Sequence, residues 1–324
     1  MSSSLRIGTR GSRLALIQAH CIARLLRQAD PELAPEIVAI ETRGDRQPEG
    51  HIAPGAGIFA AELEVALLEG RADLAVHSLK DLPVALAPGT VIAAVPRRAG
   101  AADVLVSRSG RGLGALPPGS RVGTSSLRRR AQLLRARADL EAVPLRGNVL
   151  TRLDRVRRGD DGLSAAVLAS AGLERLGLLY LAGEQLPLET FLPCPGQGAL
   201  AVQARAADER AVEAARALDH RESHLACSAE RAFLGELGLG CSAPVAALAT
   251  VGSDALTLRG AVYAPEPKDD AKGEDSGDPA EAEELGRRLA RRLAGGLTGA
   301  STGANAGAVV GSGAGVAAVR EDPP

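Results

Sequence analysis

The sequence predicts an α/β protein in which two similar α/β domains face one cleft. Segments of strand character alternate with helical segments from residue 5 to residue 169, an order typical of sheets with parallel strands. Two stretches, IGTRGSRLA (7–15) and VGTSSLRRRA (122–131), each combine a strand end, Gly-Thr, a serine and the start of a basic helix. This repeat indicates two related domains, whose ligands are expected at the carboxyl ends of the strands.

The first domain is predicted to begin with a strand at 5–8 and a helix that Ser12 caps. An apolar stripe with the 3.6-residue period predicts that Cys21 is a core residue, and it consists of Leu14, Ile17, Cys21 and Leu25. A second strand is predicted at 36–40, and the Gly/Pro-rich segment at 42–57 has the composition of a mobile loop. A helix (FAAELEVALLEG) ending at Gly70 and a strand (DLAVHSL) follow.

Further predicted strands lie at 104–106, 120–123, 143–146 and 165–169. The segment FLPCPGQGALAVQAR (191–205) is predicted to be a hinge followed by an alternating strand. A helix at 222–237, with Cys227 and Phe233 on its inner side, precedes a small sheet made of 245–251 and 255–263. Disorder is predicted for the polar stretch 264–281, a helix with a leucine stripe for 282–297, and low complexity for the remainder.

The composition disfavours two classes of protein. The formal net charge of −1 and the 2% aromatic content lack the basic surplus and stacking side chains typical of nucleic-acid binding. No apolar run is long enough to span a bilayer, and the N-terminal residues lack the apolar core of a signal peptide. The cysteines Cys21, Cys194, Cys227 and Cys241 fit no zinc pattern, so we expect reduced thiols, no metal and a cytoplasmic location.

A local basic region lies inside this neutral chain. Between Arg97 and Arg137 there are many arginines and one acid, Asp103. If Leu127, Ala131 and Leu134 form the buried stripe of a helix, then Arg128, Arg129 and Arg130 fall in its first turn, where the helix dipole disfavours cations. Hydroxyls, free amides and guanidiniums at such a turn are predicted to bind a carboxylate or phosphate, although a solvated arginine surface is the simpler alternative.

Other candidate ligand groups also follow predicted strands. Lys80 is the single lysine before residue 268, and Asp81 beside it is a carboxylate able to stabilise positive charge or move a proton. His77, on the predicted strand just before this pair, is interpreted as a structural residue satisfied in the core. The cleft is predicted to be lined by further residues suited to a polycarboxylate: Arg10, Ser12, Arg146, Gly147, Arg152 and Arg175.

The chain resembles the porphobilinogen deaminases, also called hydroxymethylbilane synthases, over residues 5–263. The resemblance is carried by IGTRGSRLAL, ELEVALLEGRADLAVHSLKDLP, VGTSSLRRRAQL, LRGNVLTRLDRV, AGLERLG, PGQGAL and GLGCSAP, in this order. It implies two periplasmic-binding-protein-like α/β domains around a cleft and a small α+β third domain. The implied boundaries are 1–95 with 199–216, 96–198 and 217–300, followed by a tail at 301–324.

The resemblance implies condensation of four porphobilinogen molecules into hydroxymethylbilane, with loss of ammonia, on a dipyrromethane cofactor joined by a thioether to Cys241. Asp81 matches the family's catalytic aspartate. The implied cofactor-binding residues are Lys80, Asp81, Thr124, Ser126, Arg128, Arg129 and Arg175, and the implied substrate-binding residues are Arg10, Ser12, Arg146, Gly147 and Arg152. The family also implies a monomer without nucleic-acid or membrane partners.

Two departures and three alternatives remain. Many relatives carry lysines where this chain has GAGIFAAELE, and Leu239 stands where a glycine is common. Cys194, in PCPGQG, is an alternative attachment point to Cys241. A non-catalytic solute-binding protein would also have two α/β domains around an anion-lined cleft, and binding of nucleic acid through the arginines of 97–137 is a further alternative.

Overall fold

The computed structural model describes residues 3–41, 60–240 and 243–300, and the strands within these ranges form three sheets. The first sheet has the order β2-β1-β3-β10-β4 and consists of β1 (Ser3–Arg10), β2 (Leu33–Ile40), β3 (Leu74–Ser78), β4 (Thr90–Ala94) and β10 (Leu200–Arg205). The second has the order β7-β6-β8-β5-β9 and consists of β5 (Asp103–Ser107), β6 (Arg121–Gly123), β7 (Glu141–Val143), β8 (Leu163–Ala169) and β9 (Glu184–Gln185).

These two sheets share one topology, as the internal repeat predicts. β1 pairs in parallel with β2 and β3, and β6 pairs in parallel with β7 and β8. In each sheet the strand that arrives from the other domain, β10 or β5, runs antiparallel to both of its neighbours. The sheets are therefore mixed rather than purely parallel, because the chain crosses between the domains instead of completing each one in turn.

Helices cover the sheets and bury their apolar stripes. On the first sheet lie α1 (Arg13–Ala29), α2 (Ala61–Leu68) and α6 (Glu209–Arg216); on the second lie α3 (Leu127–Ala136), α4 (Val149–Arg158) and α5 (Ser170–Arg175). The third sheet has the order β11-β12-β13, from β11 (Val245–Val251), β12 (Leu256–Val262) and β13 (Ala271–Gly277), and packs on α7 (Arg221–Glu236) and α8 (Ala282–Ala300). The fold is α/β with a smaller C-terminal unit, as predicted.

The buried face of α1 was predicted incorrectly, because the residues that face the sheet are shifted by one position from the predicted stripe. Side chains facing the first sheet include Gln18, Ile22 and Leu26, whereas Cys21 is half-buried. The predicted stripe is divided between two surfaces: a methyl group of Leu14 lies near Gly172 of α5, whereas Leu25 packs at the margin of the first sheet's core. Because α1 has two covered faces, the apolar period alone does not identify the one that faces the sheet.

The prediction of disorder over 264–281 is also wrong, because β13 completes the third sheet. Its residues alternate between half-buried and exposed, and the inward positions are small enough for α8 to approach closely. A Cβ added at Gly273 would lie 3.1 Å from a methyl carbon of Leu293. The outward residues, Lys272 and Glu274 among them, give the stretch its polar composition and protect an edge strand from pairing with other chains.

Other predictions have mixed outcomes. The helix around Leu285, Leu289 and Leu293 is confirmed, and Cys227 and Phe233 are buried on α7 as predicted. β4 and α6 were not predicted from sequence. The predicted loop at 42–57 and the tail at 301–324 lie outside the described residues. Within the described ranges, no helix is both long and apolar enough to cross a bilayer.

Candidate functional site

Ligand-binding candidates from the first domain follow β1 and β3. Lys80 and Asp81 lie in a 3-10 turn directly after β3, and Ser12 caps α1 by accepting a hydrogen bond from the Ala15 amide (3.3 Å). Asp81 is exposed and lines a cavity of about 90 Å³ together with Arg10, Ser12, Gln18 and His77. The strand ends thus bring a carboxylate, a guanidinium and a hydroxyl to one opening, as the sequence predicts.

The matching position in the second domain holds a buried ionic cluster. Asp103, on β5, accepts hydrogen bonds from Arg128 Nη1 (2.7 Å) and from Arg129 Nη2 (2.7 Å) and Nε (3.0 Å). All three side chains are buried. Burial alone would raise the pKa of Asp103, but the two guanidiniums hold it well below its usual range. The single acid of the basic region therefore offsets the cost of two buried cations.

This cluster corrects the predicted orientation of α3. Leu127 is 52% exposed, and Ala131 and Leu134 are half-buried, whereas Arg128 and Arg129 point inward. The anion that the first turn of α3 holds in the structure is the protein's own Asp103. One donor remains, since the buried Nε of Arg128 has no hydrogen-bond partner within the described part of the chain. The cluster is therefore not fully satisfied by Asp103.

Gln197 joins this cluster to Lys80 of the first domain. Its side-chain oxygen lies 3.4 Å from both Lys80 Nζ and Arg129 Nη2, and its amide nitrogen donates to Asp103 (2.9 Å). Burial lowers the pKa of Lys80, and the neighbouring Arg129 lowers it further against the attraction of Asp81. The Cys194 thiol interacts electrostatically with Lys80 and Arg128. Cys194 thus belongs to this site.

Arg152 interacts electrostatically with both the cavity around Asp81 and the buried cluster around Asp103. It follows β7 on α4, and its Nε donates to the carbonyl oxygen of Gly147 (2.8 Å). Burial lowers the pKa of Arg152 to about 10, Arg129 contributes to the decrease, and Asp81 opposes it. The guanidinium is therefore within electrostatic reach of Asp81 from one domain and Arg129 from the other, and it stays charged at neutral pH.

The remaining candidates are more dispersed. Ser126 caps α3 by accepting from the Arg129 amide (3.4 Å), and the buried Thr124 accepts from the Ser126 amide (3.2 Å). Arg146 and Gly147 are exposed after β7. Arg175 is not beside Asp81: it donates to the Gly198 carbonyl (2.7 Å) and lines a separate cavity of about 660 Å³ with Cys21. Cys241 lies outside the described residues.

Sequence reasoning missed two buried amides. Gln18 lines the cavity beside Asp81 and donates to the Ser78 hydroxyl (2.8 Å), but it stood on the unrecognised buried face of α1. Gln197 was available in the PGQG motif, which was interpreted as a hinge without a role for the glutamine.

A second buried ion pair, between Arg98 and Glu230 (2.6 Å), connects the same region to the third domain. Glu230 also accepts a hydrogen bond from the Gly196 amide (2.7 Å).

His77 is buried as expected but is not satisfied. Within the described ranges its Nε2 has no hydrogen-bond partner, and burial lowers the pKa of His77 to about 4, with a smaller opposing effect from Gln203. Between pH 6.5 and 4 the unfolded chain therefore binds a proton that the folded chain does not.

We predict that this histidine destabilises the fold as the pH falls through that window. The free energy of unfolding should drop by about 1 kcal/mol more between pH 7 and 5.5 in the wild type than in His77→Gln. Urea denaturation at both pH values measures the difference. His20→Gln, at an exposed position of α1, is the matched control and should keep the wild-type dependence. An identical pH dependence for His77→Gln and the wild type would contradict the assignment.

Comparison with known proteins gives a consistent result along the chain. Residues 5–213 match the family model described as porphobilinogen deaminase, dipyromethane cofactor binding domain, and residues 224–295 match the porphobilinogen deaminase C-terminal domain. The porphobilinogen deaminase of Moorella thermoacetica is 47% identical over 87% of this chain and 90% of its own length. That of Syntrophomonas wolfei is 44% identical over 88% and 93%. Among solved structures, the methionine-binding protein MetQ is 14% identical with a TM-score of 0.39, covering 68% of this chain and 92% of its own.

Proposed function

The chain belongs to the porphobilinogen deaminase family, and we propose that the residues at the two strand-end sites divide the work of its reaction between them. The protein is a hydroxymethylbilane synthase, a transferase of tetrapyrrole biosynthesis. It joins porphobilinogen molecules head to tail with release of ammonia on a dipyrromethane cofactor. Each pyrrole carries two carboxylates, so a cleft for this reaction needs many cations and a way to stabilise positive charge on the ring.

The buried cluster suits the cofactor's carboxylates. Arg128 has a buried Nε without a partner among the described residues. Arg128 and Arg129 share Asp103, and Arg129 and Lys80 both approach the side-chain oxygen of Gln197. A carboxylate would accept from these donors, and the Thr124 and Ser126 hydroxyls lie at the same helix start. When bound, the dipyrromethane supplies the pyrrole carbon to which the first substrate is joined.

Asp81 is the proposed catalytic residue. The observation that carries this role is its position: an exposed carboxylate directly after β3, in a cavity with Arg10 and Ser12 and within electrostatic reach of Arg152. The guanidiniums hold the acetate and propionate groups of a pyrrole, which leaves the carboxylate facing the ring nitrogen. There it stabilises the positive charge that develops when ammonia leaves and when the next ring attacks.

Substrate and growing product are held by cations on both sides of the cleft. Arg10 and Ser12 belong to the first domain, and Arg146, Gly147 and Arg152 to the second. Arg146 is exposed, which suits contact with a chain that lengthens by one ring at a time. Arg175 lines the cavity behind α1 and contacts Gly198. It therefore influences the cofactor region through the PGQG turn.

Cys241 is the proposed attachment point of the cofactor. The described residues on either side of it are adjacent, because the Ala243 amide donates to the Gly240 carbonyl (2.9 Å). Four residues after Ala243, the amide of Ala247 donates to the carbonyl oxygen of Pro193 (3.0 Å), and Pro193 precedes Cys194 in the sequence. We also propose domain boundaries at residues 95, 198 and 216, and a cytoplasmic monomer without nucleic-acid or membrane partners.

A stoichiometric assay tests the proposed function against simple solute binding. The purified protein is incubated with porphobilinogen, and substrate consumption, ammonia release and the mass of the product are measured together. One ammonia per substrate and a product of four linked rings are expected. Binding of porphobilinogen without release of ammonia would instead identify a solute-binding protein.

A further inference from the structure

Gln197 has a fixed position between the two domains. Its side chain is completely buried, and the residues on either side, Gly196 and Gly198, have φ angles of 73° and 89°, which side chains with a Cβ rarely adopt. A Cβ at Gly198 would also lie 2.5 Å from the carbonyl oxygen of Ala99. The turn therefore needs both glycines to place the intervening side chain where it is.

The environment allows Gln197 one orientation of its amide. The NH2 group donates to the Ala101 carbonyl (2.7 Å) and to Asp103 Oδ1 (2.9 Å). The oxygen faces Lys80 Nζ and Arg129 Nη2, each at 3.4 Å. Reversing the amide would put two donors against two cations and an acceptor against a carboxylate, so the electrostatics fix the dipole.

The consequence concerns Lys80. Lys80 lies in the turn after β3 of the first sheet and Arg129 lies on α3 over the second sheet; they carry like charges, yet both approach the same oxygen atom. The oxygen reduces their mutual repulsion, and its connection through the amide nitrogen to Asp103 keeps it from moving. Without this oxygen the flexible lysine would be repelled by Arg129 and would turn towards solvent.

We propose that Gln197 is a positioning residue: it holds Lys80 beside Arg129 in the arrangement that receives a cofactor carboxylate, and it couples the first domain to the second at that point. The inference deepens the proposed function, because it rests on the assignment of Lys80 and Arg129 to the cofactor. It gives the PGQG turn a role in ligand binding beyond that of a hinge.

The experiment compares two buried glutamines. Gln197→Met and Gln203→Met both replace a fully buried amide with an apolar side chain of similar length. Gln203, on β10, donates to Glu64 (2.9 Å) and Thr90 (2.8 Å) beneath α2 and interacts with His77, and none of the hydrogen bonds of its side chain within the described residues is to Lys80, Arg128 or Arg129. Lys80→Met and the double variant Lys80→Met/Gln197→Met complete a mutant cycle. For each protein, the intact mass of the denatured chain measures the cofactor it carries, steady-state kinetics give kcat and KM, and urea denaturation gives stability.

Gln197→Met should reduce the cofactor-loaded fraction or kcat by about tenfold, and adding it to Lys80→Met should cause less than about a twofold further loss. Gln203→Met should lose comparable stability and keep kcat and cofactor content within about twofold of the wild type. Equal functional loss in both glutamine variants, or independent effects of Lys80→Met and Gln197→Met, would overturn the proposal. If Lys80→Met itself loads cofactor and turns over normally, the assignment of Lys80 fails instead, which separates the two conclusions.

Discussion

Replacing Asp81 by asparagine lowers kcat by about 10²- to 10⁴-fold while the affinity for porphobilinogen changes little. The two side chains have the same shape, so the cavity with Arg10 and Ser12 is preserved. What is lost is a negative charge at the place where the reacting pyrrole becomes positive. Because an interaction that exists only in the transition state affects kcat and not substrate binding, the effect should appear in kcat.

The measurement is the initial rate of ammonia release over a range of porphobilinogen concentrations. The mass of the denatured variant is determined first, so that a defect in cofactor assembly is not mistaken for a defect in turnover. Asp139→Asn is the matched control: Asp139 is 41% exposed and paired with Arg137, away from the proposed site, and its variant should retain the wild-type rate. A kcat for Asp81→Asn within about threefold of the wild type would remove Asp81 from the mechanism.

The placement of Asp81 could be predicted from the sequence because the relevant rules are local. A polar pair after a buried strand lies at the carboxyl end of a sheet, and the two Gly-Thr repeats located the corresponding ends of β1 and β6. The structure confirms this arrangement for both sheets. Capping of α1 by Ser12 could likewise be predicted, because it depends on a few neighbouring residues.

The interior of the site could not be predicted, because it depends on contacts distant in sequence. Arg128 and Arg129 meet Asp103 across 25 and 26 residues, and Gln197 meets Lys80 across 117. The apolar period predicted that Arg128 and Arg129 lie on the outside of α3. No local pattern in the sequence indicates that Asp103, on β5, pairs with them in the interior. The predicted disorder at β13 failed for a related reason: its small inward residues fit α8, which lies beyond them in the sequence.

The largest effect is expected from Cys241→Ser. Purified wild-type protein should have a denatured mass greater than that of its sequence by two linked pyrrole units, and the variant should have the sequence mass alone. Turnover should fall by at least about 10³-fold, because an untethered primer loses the effective concentration that attachment provides. Serine is close in size to cysteine, so the fold should be unaffected. Its hydroxyl is a much weaker nucleophile than a thiol, so the cofactor should not become attached.

Cys194→Ser is the decisive companion variant. Cys194 interacts electrostatically with the cations Lys80, Arg98 and Arg128, so it is the alternative anchor next to the proposed cofactor site. Cys227 is a poorer candidate, because burial raises the pKa of its thiol to about 12. We expect Cys194→Ser to keep the adduct, with altered kinetics at most. If the adduct instead persists in Cys241→Ser and disappears in Cys194→Ser, the cofactor is attached within the cationic cluster itself. The arginines would then lie around the attachment point itself, rather than bind a cofactor that is attached to the third domain.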